Sequence, residues 1–339
     1  MPAGVAGPAP ASATPGDCAQ LFGSFSAGRW PPACWRPYGS RSPFNTPIPP
    51  APRVSPESGA IIGYLLSQHW AFNPGHGGGF TISAQGSRPV YWSGSGDPLV
   101  RVLCRGGGYS CRQGMRVRIP RGARPEEQSD GHMTVIDQVS HREYDFWRAS
   151  APANGTMTVS AGSSIPIGPS VGSGRGGVAE ASDLGLAGGL IRGAELLAGR
   201  INHALATTVA CVQRRDVWPS PARARGDSIC PGGAGPHFGS LLQLNMSAAE
   251  ILATHAPPWE RTVMTAMAQY GVYVVDTNGP GETEMSLVNE DDLSFTAFGY
   301  EGQLSSFVHA AGGNDSLVGL PVPVSRLRVI LPCKPLAGC

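Results

Sequence analysis

The stretch DGHMTVIDQVSHREYDFW, residues 130–147, predicts two short β-strands joined by a polar turn at about residues 138–142. It carries three aspartates, one glutamate, two histidines and a tryptophan, more titratable groups than a half-buried hairpin requires. Alternate side chains of a strand share a face, so Asp130 and His132 should lie opposite Met133 and Val135. The stretch therefore predicts a site as well as a hairpin.

The second strand of this hairpin places Glu143, Asp145 and Trp147 on one face. If the polar faces of the two strands coincide, one sheet surface carries Asp130, His132, Asp145 and Trp147. This set supplies an acid, a base and an aromatic platform, the groups that sugar chemistry uses. The alternative is a hydrogen-bonded ladder on a solvated sheet face.

The rest of the chain predicts a mainly β fold, a sandwich or jelly-roll-like arrangement of antiparallel sheets with a few inserted helices. Short apolar or alternating runs between glycine clusters indicate strands, and they are FTIS (80–83), PVYW (89–92), PLVRVLC (98–104), GMRVRIP (114–120), GTMTVSA (155–161), INHALATTVACV (201–212), LLQLN (241–245), VYVVD (272–276) and RLRVIL (326–331). Capped apolar patterns predict helices over residues 55–69, 189–198, 247–255 and 257–271.

Domain organisation follows from composition. Residues 1–16 are rich in Ala, Pro and Gly and predict a disordered N-terminal segment. We expect residues 17–339 to form a single β-rich domain, with the Pro-rich part near its start wrapping the surface as an arm. The Gly/Ser-rich segment 162–188 could fold over a cleft.

Charge and hydropathy exclude some partners. Charged residues make up 14% of the chain and the net charge is +1, which argues against nucleic-acid binding. No run of about eighteen apolar residues occurs, so no membrane span is expected.

Eight cysteines fall into four close couples, Cys18/Cys34, Cys104/Cys111, Cys211/Cys230 and Cys333/Cys339. Local disulfides within the couples are the simplest prediction, although eight cysteines allow 105 pairings. Such bridges indicate a secreted, extracellular protein. The alternative is free thiols in the core, and metal ligation is disfavoured because no clustered Cys/His pattern occurs.

Further candidate residues lie outside the hairpin. His203 should lie on the strand predicted over 201–212, where it is either a catalytic group or a hydrogen-bonded core histidine. Arg214 and Trp218, in an arginine-rich segment, could bind sugar by guanidinium forks and stacking, or form a solvated turn. Asp276 should end a strand and begin an Asx turn, and it is a candidate substrate contact.

Cofactor and metal motifs are absent. There is no GxSxG elbow, HExxH helix or phosphate loop, and we predict no cofactor and no catalytic metal. The acids Glu290, Asp291 and Asp292 fit a helix N-terminus, with a structural calcium site as the alternative. A metal-dependent arrangement of His132, His203 and a carboxylate also stays open.

Several motifs occur in a particular order, namely SPFNTPIP (42–49), DGHMTVID (130–137), EYDFW (143–147), GLAGGLIRGAELLAGRINHAL (185–205), DVWP (216–219) and QYGVYVVDTNG (269–279). In this combination, over about residues 40–300, the chain resembles a family of largely uncharacterised secreted bacterial proteins. The resemblance marks Asp130, His132, Asp137, Asp145, His203, Trp218 and Asp276. The chain departs from the family at SPARAR (220–225), where an Arg-His pattern is expected, and near Phe238, where an arginine is expected.

Three functions remain open from the sequence. The first is a secreted glycoside hydrolase acting on a polysaccharide or oligosaccharide, with Asp130 and Asp145 as acid and base or nucleophile and His132 and His203 as relays. In this hypothesis Trp147, Trp218, Arg214 and Asp276 bind the substrate. The second is a polysaccharide lyase with a histidine or Tyr144 as base, and the third is a non-catalytic glycan-binding protein.

Overall fold

The computed structural model describes the chain over residues 25, 31–67, 79–82, 88–105, 110–127, 130–170, 173–215, 217–220, 229–278, 285–288, 318–320 and 322–331. The predicted disordered segment 1–16 and the acidic cluster 290–292 lie outside these residues.

Most regular elements are short strands. In chain order they are β1 (Phe80–Ile82), β2 (Val90–Ser93), β3 (Leu99–Cys104), β4 (Arg116–Arg118), β5 (Met133–Asp137), β6 (Arg142–Trp147), β7 (Thr156–Val159), β8 (Ala161–Gly162), β9 (Ile165–Pro166), β10 (Leu205–Val209), β11 (Leu241–Leu244), β12 (Val272–Thr277), β13 (Met285–Ser286), β14 (Val318–Leu320) and β15 (Leu327–Ile330). The helices are α1 (Ser58–Ser67), α2 (Gly193–Leu197), α3 (Ala248–Leu252) and α4 (Pro258–Gln269).

The strands form four mixed sheets, which confirms the mainly β fold with a few helices. The central sheet has the order β2-β5-β6-β8, with β9 also paired to β6, and the facing sheet has the order β10-β12-β11-β15. Two smaller sheets have the orders β4-β3-β7 and β13-β1-β14. The hairpin β5–β6 is antiparallel as predicted, whereas β2–β5, β3–β7 and β10–β12 are parallel pairs.

Two sheets share one apolar layer, and this makes the arrangement a sandwich. One cluster of buried side chains combines Trp92 and Ile136 of the central sheet with Ala206, Tyr273 and Val275 of the facing sheet. The other face of the central sheet packs on β3, β4 and β7, and the other face of the facing sheet packs on the helices. Both faces of the hairpin are therefore buried, and the alternative of a ladder on a solvated sheet face does not occur.

Segment 31–48, the N-terminal arm, lies between the two sheets at one side, as two aromatic rings show. Phe44 packs edge-on against Tyr273 with ring centroids 5.4 Å apart, and Tyr38 lies 6.1 Å from Phe44. Glycines let the chain pass close to these rings. A Cβ on Gly188 would lie 2.6 Å from Phe44, and one on Gly185 would overlap the Tyr38 hydroxyl.

One strand prediction was wrong in its extent. The pattern INHALATTVACV predicted a strand over residues 201–212, but β10 covers only Leu205–Val209. His203 therefore precedes the strand. The backbone just before β10 bonds to the arm and not to a neighbouring strand, because the Ala204 N–H donates to the carbonyl of Phe44.

Two predicted disulfides are confirmed, Cys104–Cys111 and Cys211–Cys230. Cys34 is also disulfide-bonded, whereas Cys18, Cys333 and Cys339 lie outside the described residues. Within the described part of the chain, no helix combines the length and apolar character needed to cross a bilayer.

Candidate functional site

One row of side chains crosses an end of the central sheet and consists of Arg88, His132 and Trp147. The pairings of β5 with β2 and with β6 fix which residues are neighbours. Continuing both registers two residues beyond Thr134 places Arg88 and Trp147 on either side of His132. Since alternate residues share a face, this row lies on the face that also carries Asp145, as the sequence predicted.

His132 and Asp130 are in polar contact at this end of the central sheet. The Nε2 atom of His132 lies 3.9 Å from an Asp130 carboxylate oxygen, and the side chains are 1% and 52% exposed. Burial lowers the pKa of His132 well below its usual value, and the positive charge of Arg88 lowers it further. His132 is thus a neutral imidazole, and its buried Nδ1 atom has no hydrogen-bond partner among the residues that the structure describes.

Arg88 connects the row to acids from two distant segments. Its Nε donates to a carboxylate oxygen of Glu180 at 2.8 Å, and Glu180 comes from the Gly-rich segment 173–185. The guanidinium also interacts electrostatically with Asp276, near the end of β12, and with Asp130. We call Arg88, Asp130, His132, Glu180 and Asp276 the Arg88 cluster.

The pKa of Asp276 is raised in this cluster. Burial raises this pKa well above the ordinary value, and the neighbouring Glu180 carboxylate raises it further by charge and by a shared hydrogen bond. Backbone N–H groups of Thr277 and Ala181 donate to its two oxygens at 2.7 and 3.1 Å. These contacts fix the carboxyl beside Glu180, to which it donates when it carries a proton. The residue is nevertheless only half-buried, so it reaches the surface.

Backbone and hydroxyl contacts bring Trp218 to the same end of the molecule. The Ser182 N–H donates to the Val275 carbonyl, and the Ser220 hydroxyl donates to the Ser182 carbonyl at 2.7 Å. Trp218, two residues from Ser220, is half-buried and precedes a cis peptide bond to Pro219. The structure thus brings together Asp130, His132, Trp147, Trp218 and Asp276.

Asp145 lies deeper, in a second cluster that we call the Asp145 cluster and that comprises Tyr38, Thr134, Glu143 and Asp145. Both acids are fully buried. The Tyr38 hydroxyl donates to Glu143 at 2.5 Å, and the Thr134 hydroxyl donates to Asp145 at 2.9 Å. The Ala187 N–H donates to the second Glu143 oxygen at 2.9 Å. Asp145 therefore has protein groups around it and no exposed surface.

The two acids of the Asp145 cluster share a proton. Burial raises the pKa of Asp145 well above its usual value, and the charge of Glu143 and a hydrogen bond between the two acids add to this effect. Burial also raises the pKa of Glu143 and, together with Glu143, that of Tyr38. The cluster links the N-terminal arm, the hairpin and segment 184–188 through one hydrogen-bonded group.

His203 lies in a third network, apart from the Arg88 cluster. Its Nε2 contacts Glu195 at 3.0 Å, and its Nδ1 contacts the Ala204 carbonyl at 2.8 Å. Arg192 also donates to Glu195 at 2.8 Å and to the arm carbonyls of residues 32, 33 and 35. Asp276 pairs with Thr208 of β10, whereas His203 precedes that strand and is bonded to Glu195 of α2, so the two side chains belong to different networks.

Two other residues singled out by the sequence are placed as follows. Arg214 is exposed. Asp137 accepts hydrogen bonds from the Val139 and Ser140 N–H groups at 2.9 and 3.1 Å and lies 3.3 Å from Arg118, so it stabilises the hairpin turn.

Sequence reasoning missed Arg88, Glu180 and Tyr38. Glu180 carries a weak signal, because it is the only acid between residues 162 and 182 in a segment of Gly, Ser and apolar residues. Arg88 has none, since only the parallel pairing of β2 with β5 places it beside His132. Among the described residues, no three His, Cys, Asp or Glu side chains are grouped as a metal ion would require, and His132 and His203 do not meet.

Comparisons of the chain with models of protein families, with curated proteins and with solved structures found no match.

Proposed function

We propose that the protein is a secreted glycoside hydrolase whose acid/base chemistry resides in the Arg88 cluster. One observation carries the proposal, the half-buried Asp276 carboxyl held beside the Glu180 carboxylate at the surface-reaching end of the sandwich, where burial and that neighbour raise its pKa. A general acid must keep its proton near neutral pH, and burial beside a second carboxylate is a usual way to achieve this. Asp145 also keeps a proton, but it has no exposed surface from which to transfer it.

In this proposal Asp276 protonates the leaving glycosidic oxygen. Asp130, exposed at the same end, acts as the base that accepts a proton from the attacking water, or as the nucleophile. Glu180 and Arg88 act as positioning residues, because their ion pair holds the Asp276 proton in place. The half-buried rings of Trp147 and Trp218 supply surfaces on which a sugar can stack.

An extracellular location fits the two disulfides, because such bridges persist in oxidising compartments. The substrate would be a polysaccharide or oligosaccharide met outside the cell. The family resemblance points to the same location.

The test compares two Asp→Asn variants of the same protein. Asn at position 276 can accept from a backbone N–H and donate to Glu180, so the fold should be kept while proton donation is lost. Asp145→Asn is a matched control, since it makes the same change at a proton-bearing acid that is enclosed. We expect Asp276→Asn to lose at least 100-fold in reducing-sugar release on a responsive polysaccharide, and Asp145→Asn to retain activity.

Retained activity of a folded Asp276→Asn protein would remove Asp276 from the mechanism. Loss in Asp145→Asn alone would instead return the acid role to Asp145. A broad polysaccharide panel, read by chromatography of the products, must first identify the responsive polymer. Retention on a polymer without any product would favour a glycan-binding protein.

A polysaccharide lyase is the second candidate, and the neutral His132 beside Arg88 favours it. A neutral imidazole can remove the C–H proton next to the uronate carboxylate. A guanidinium that binds this carboxylate makes that proton more acidic, as the elimination requires. The two reactions differ in their products. Lyase action creates an unsaturated uronate that absorbs in the ultraviolet, whereas hydrolysis releases reducing ends without this absorbance.

A further inference from the structure

The ring of Trp147 carries a cation on its face. The guanidinium carbon of Arg148 lies 4.4 Å from the ring centroid, in a cation–π arrangement. The backbone of Arg148 is left-handed, with φ at 48°, a conformation that is strained for a non-glycine residue. Its N–H donates to the Asp130 carbonyl at 2.8 Å, so Arg148 is held directly beside the Arg88 cluster.

No carboxylate pairs with the Arg148 side chain among the residues that the structure describes, and the side chain is exposed. Asp130, whose backbone carbonyl accepts from the Arg148 N–H, has its carboxylate directed towards His132 instead. Other arginines of the described chain have such partners, including Arg88 with Glu180 and Arg192 with Glu195. The stacked guanidinium therefore keeps its N–H edge available for an anion.

Exposed guanidinium groups also lie at this end. Arg148 and Arg175 are both exposed. Acids of this end are already engaged, because Glu180 binds Arg88 and Glu126 accepts from the backbone N–H groups of Asp130 and Gly131. Arg175 belongs to this end because its Nε donates to the Pro219 carbonyl at 2.7 Å, beside Trp218.

We infer that the glycan bound at this site is acidic, with a uronate carboxylate held by the edge of the Arg148 guanidinium that stacks on Trp147. The inference rests on the proposed function and names its substrate class. Stacking orients the planar guanidinium, and a carboxylate can then accept two parallel N–H bonds from its edge. Neutral sugars offer no group of matching charge.

The experiment measures binding with the Asp276→Asn protein, so that cleavage does not consume the ligand. The probes are polygalacturonate and alginate, each before and after chemical reduction of its carboxyl groups, and the readout is retardation in native gels containing the polymer. Arg148→Gln, added to Asp276→Asn, removes the proposed contact. Arg101→Gln is the matched control, because Arg101 is an exposed arginine on β3, in a different sheet.

We expect at least one acidic polymer to bind about 10-fold more tightly than its reduced form, and this preference to weaken as salt rises. Arg148→Gln should remove most of the preference, while Arg101→Gln should leave it unchanged. Equal binding of acidic and reduced polymers, binding of neither, or an unchanged preference in Arg148→Gln overturns the inference. If an acidic polymer is bound through Arg148 but never cleaved by the wild-type protein, the hydrolase proposal fails and acidic-glycan recognition stands.

Discussion

Replacing Asp145 with Asn should change how the stability of the protein depends on pH. In the folded protein the Asp145 cluster keeps a proton that the unfolded chain releases, because burial and Glu143 raise the pKa of Asp145 well above its usual value. The free energy of unfolding must therefore fall as pH rises from the unfolded-state pKa of about 4 towards the folded-state pKa. Asn at position 145 can donate to Glu143 without carrying a proton that titrates.

The magnitude follows from linkage. One proton retained by the folded state alone corresponds to about 1.4 kcal/mol per pH unit. From about pH 5 to about pH 7 the wild-type protein should lose about 2.7 kcal/mol more than Asp145→Asn, as long as the folded cluster keeps its proton. Asp276, whose pKa is also raised, and Glu260, whose pKa burial raises to about 7, act in the same direction. Both are present in both proteins, so they cancel in the comparison.

Urea denaturation followed by tryptophan fluorescence, at pH values from about 5 to about 7, measures this difference. Asp97→Asn is the control, since Asp97 accepts from the Gly94 N–H in a turn outside the Asp145 cluster. Parallel stability curves for wild type and Asp145→Asn would refute the reasoning, because they would mean that the cluster holds no extra proton. A pH slope that changes equally in Asp97→Asn would refute it as well.

Two further perturbations test the packing and the cross-links. Gly185→Ala should lower the free energy of unfolding by about 1–3 kcal/mol, because the added methyl group overlaps the Tyr38 hydroxyl. Gly94→Ala is the control and should change it little, since no atom lies within 4 Å of the added carbon. Equal urea midpoints of the two variants would contradict the close packing at Gly185. Replacing Cys211 and Cys230 together with serine should lower the free energy of unfolding by about 3 kcal/mol, because the bridge joins residues with a sequence separation of 19. Thermal unfolding measures this loss, and an unchanged midpoint would contradict it.

The hairpin shows what sequence patterns could predict. Because side chains alternate in direction along a strand, the stretches HMTVID and EYDFW placed His132, Asp145 and Trp147 on one face, and the observed register of β5 with β6 agrees with this. Alternation is a local property of extended backbone, so it can be read without knowledge of the fold. How deeply each residue is buried, however, depends on distant parts of the chain. Segment 184–188 and the N-terminal arm cover Asp145, and nothing in the hairpin itself indicates that cover.

The Arg88 cluster shows why the rest could not be predicted. Its members come from four parts of the chain, and Asp276 and Glu180 meet only because segment 173–185 is hydrogen-bonded to the end of β12. His203 illustrates the opposite error. Its neighbours have the β-branched and apolar character of a strand, yet the buried Glu195 and the carbonyl of Phe44 determine where this backbone runs.

The Cys211–Cys230 bridge has a consequence for how such a protein can evolve. It holds the two ends of the intervening segment with their Cα atoms 4.9 Å apart, directly after β10. The sequence between the cysteines can then be exchanged, lengthened or recharged while the preceding strand keeps its register. A lineage could thus change this one covalently closed loop and inherit the sandwich unaltered.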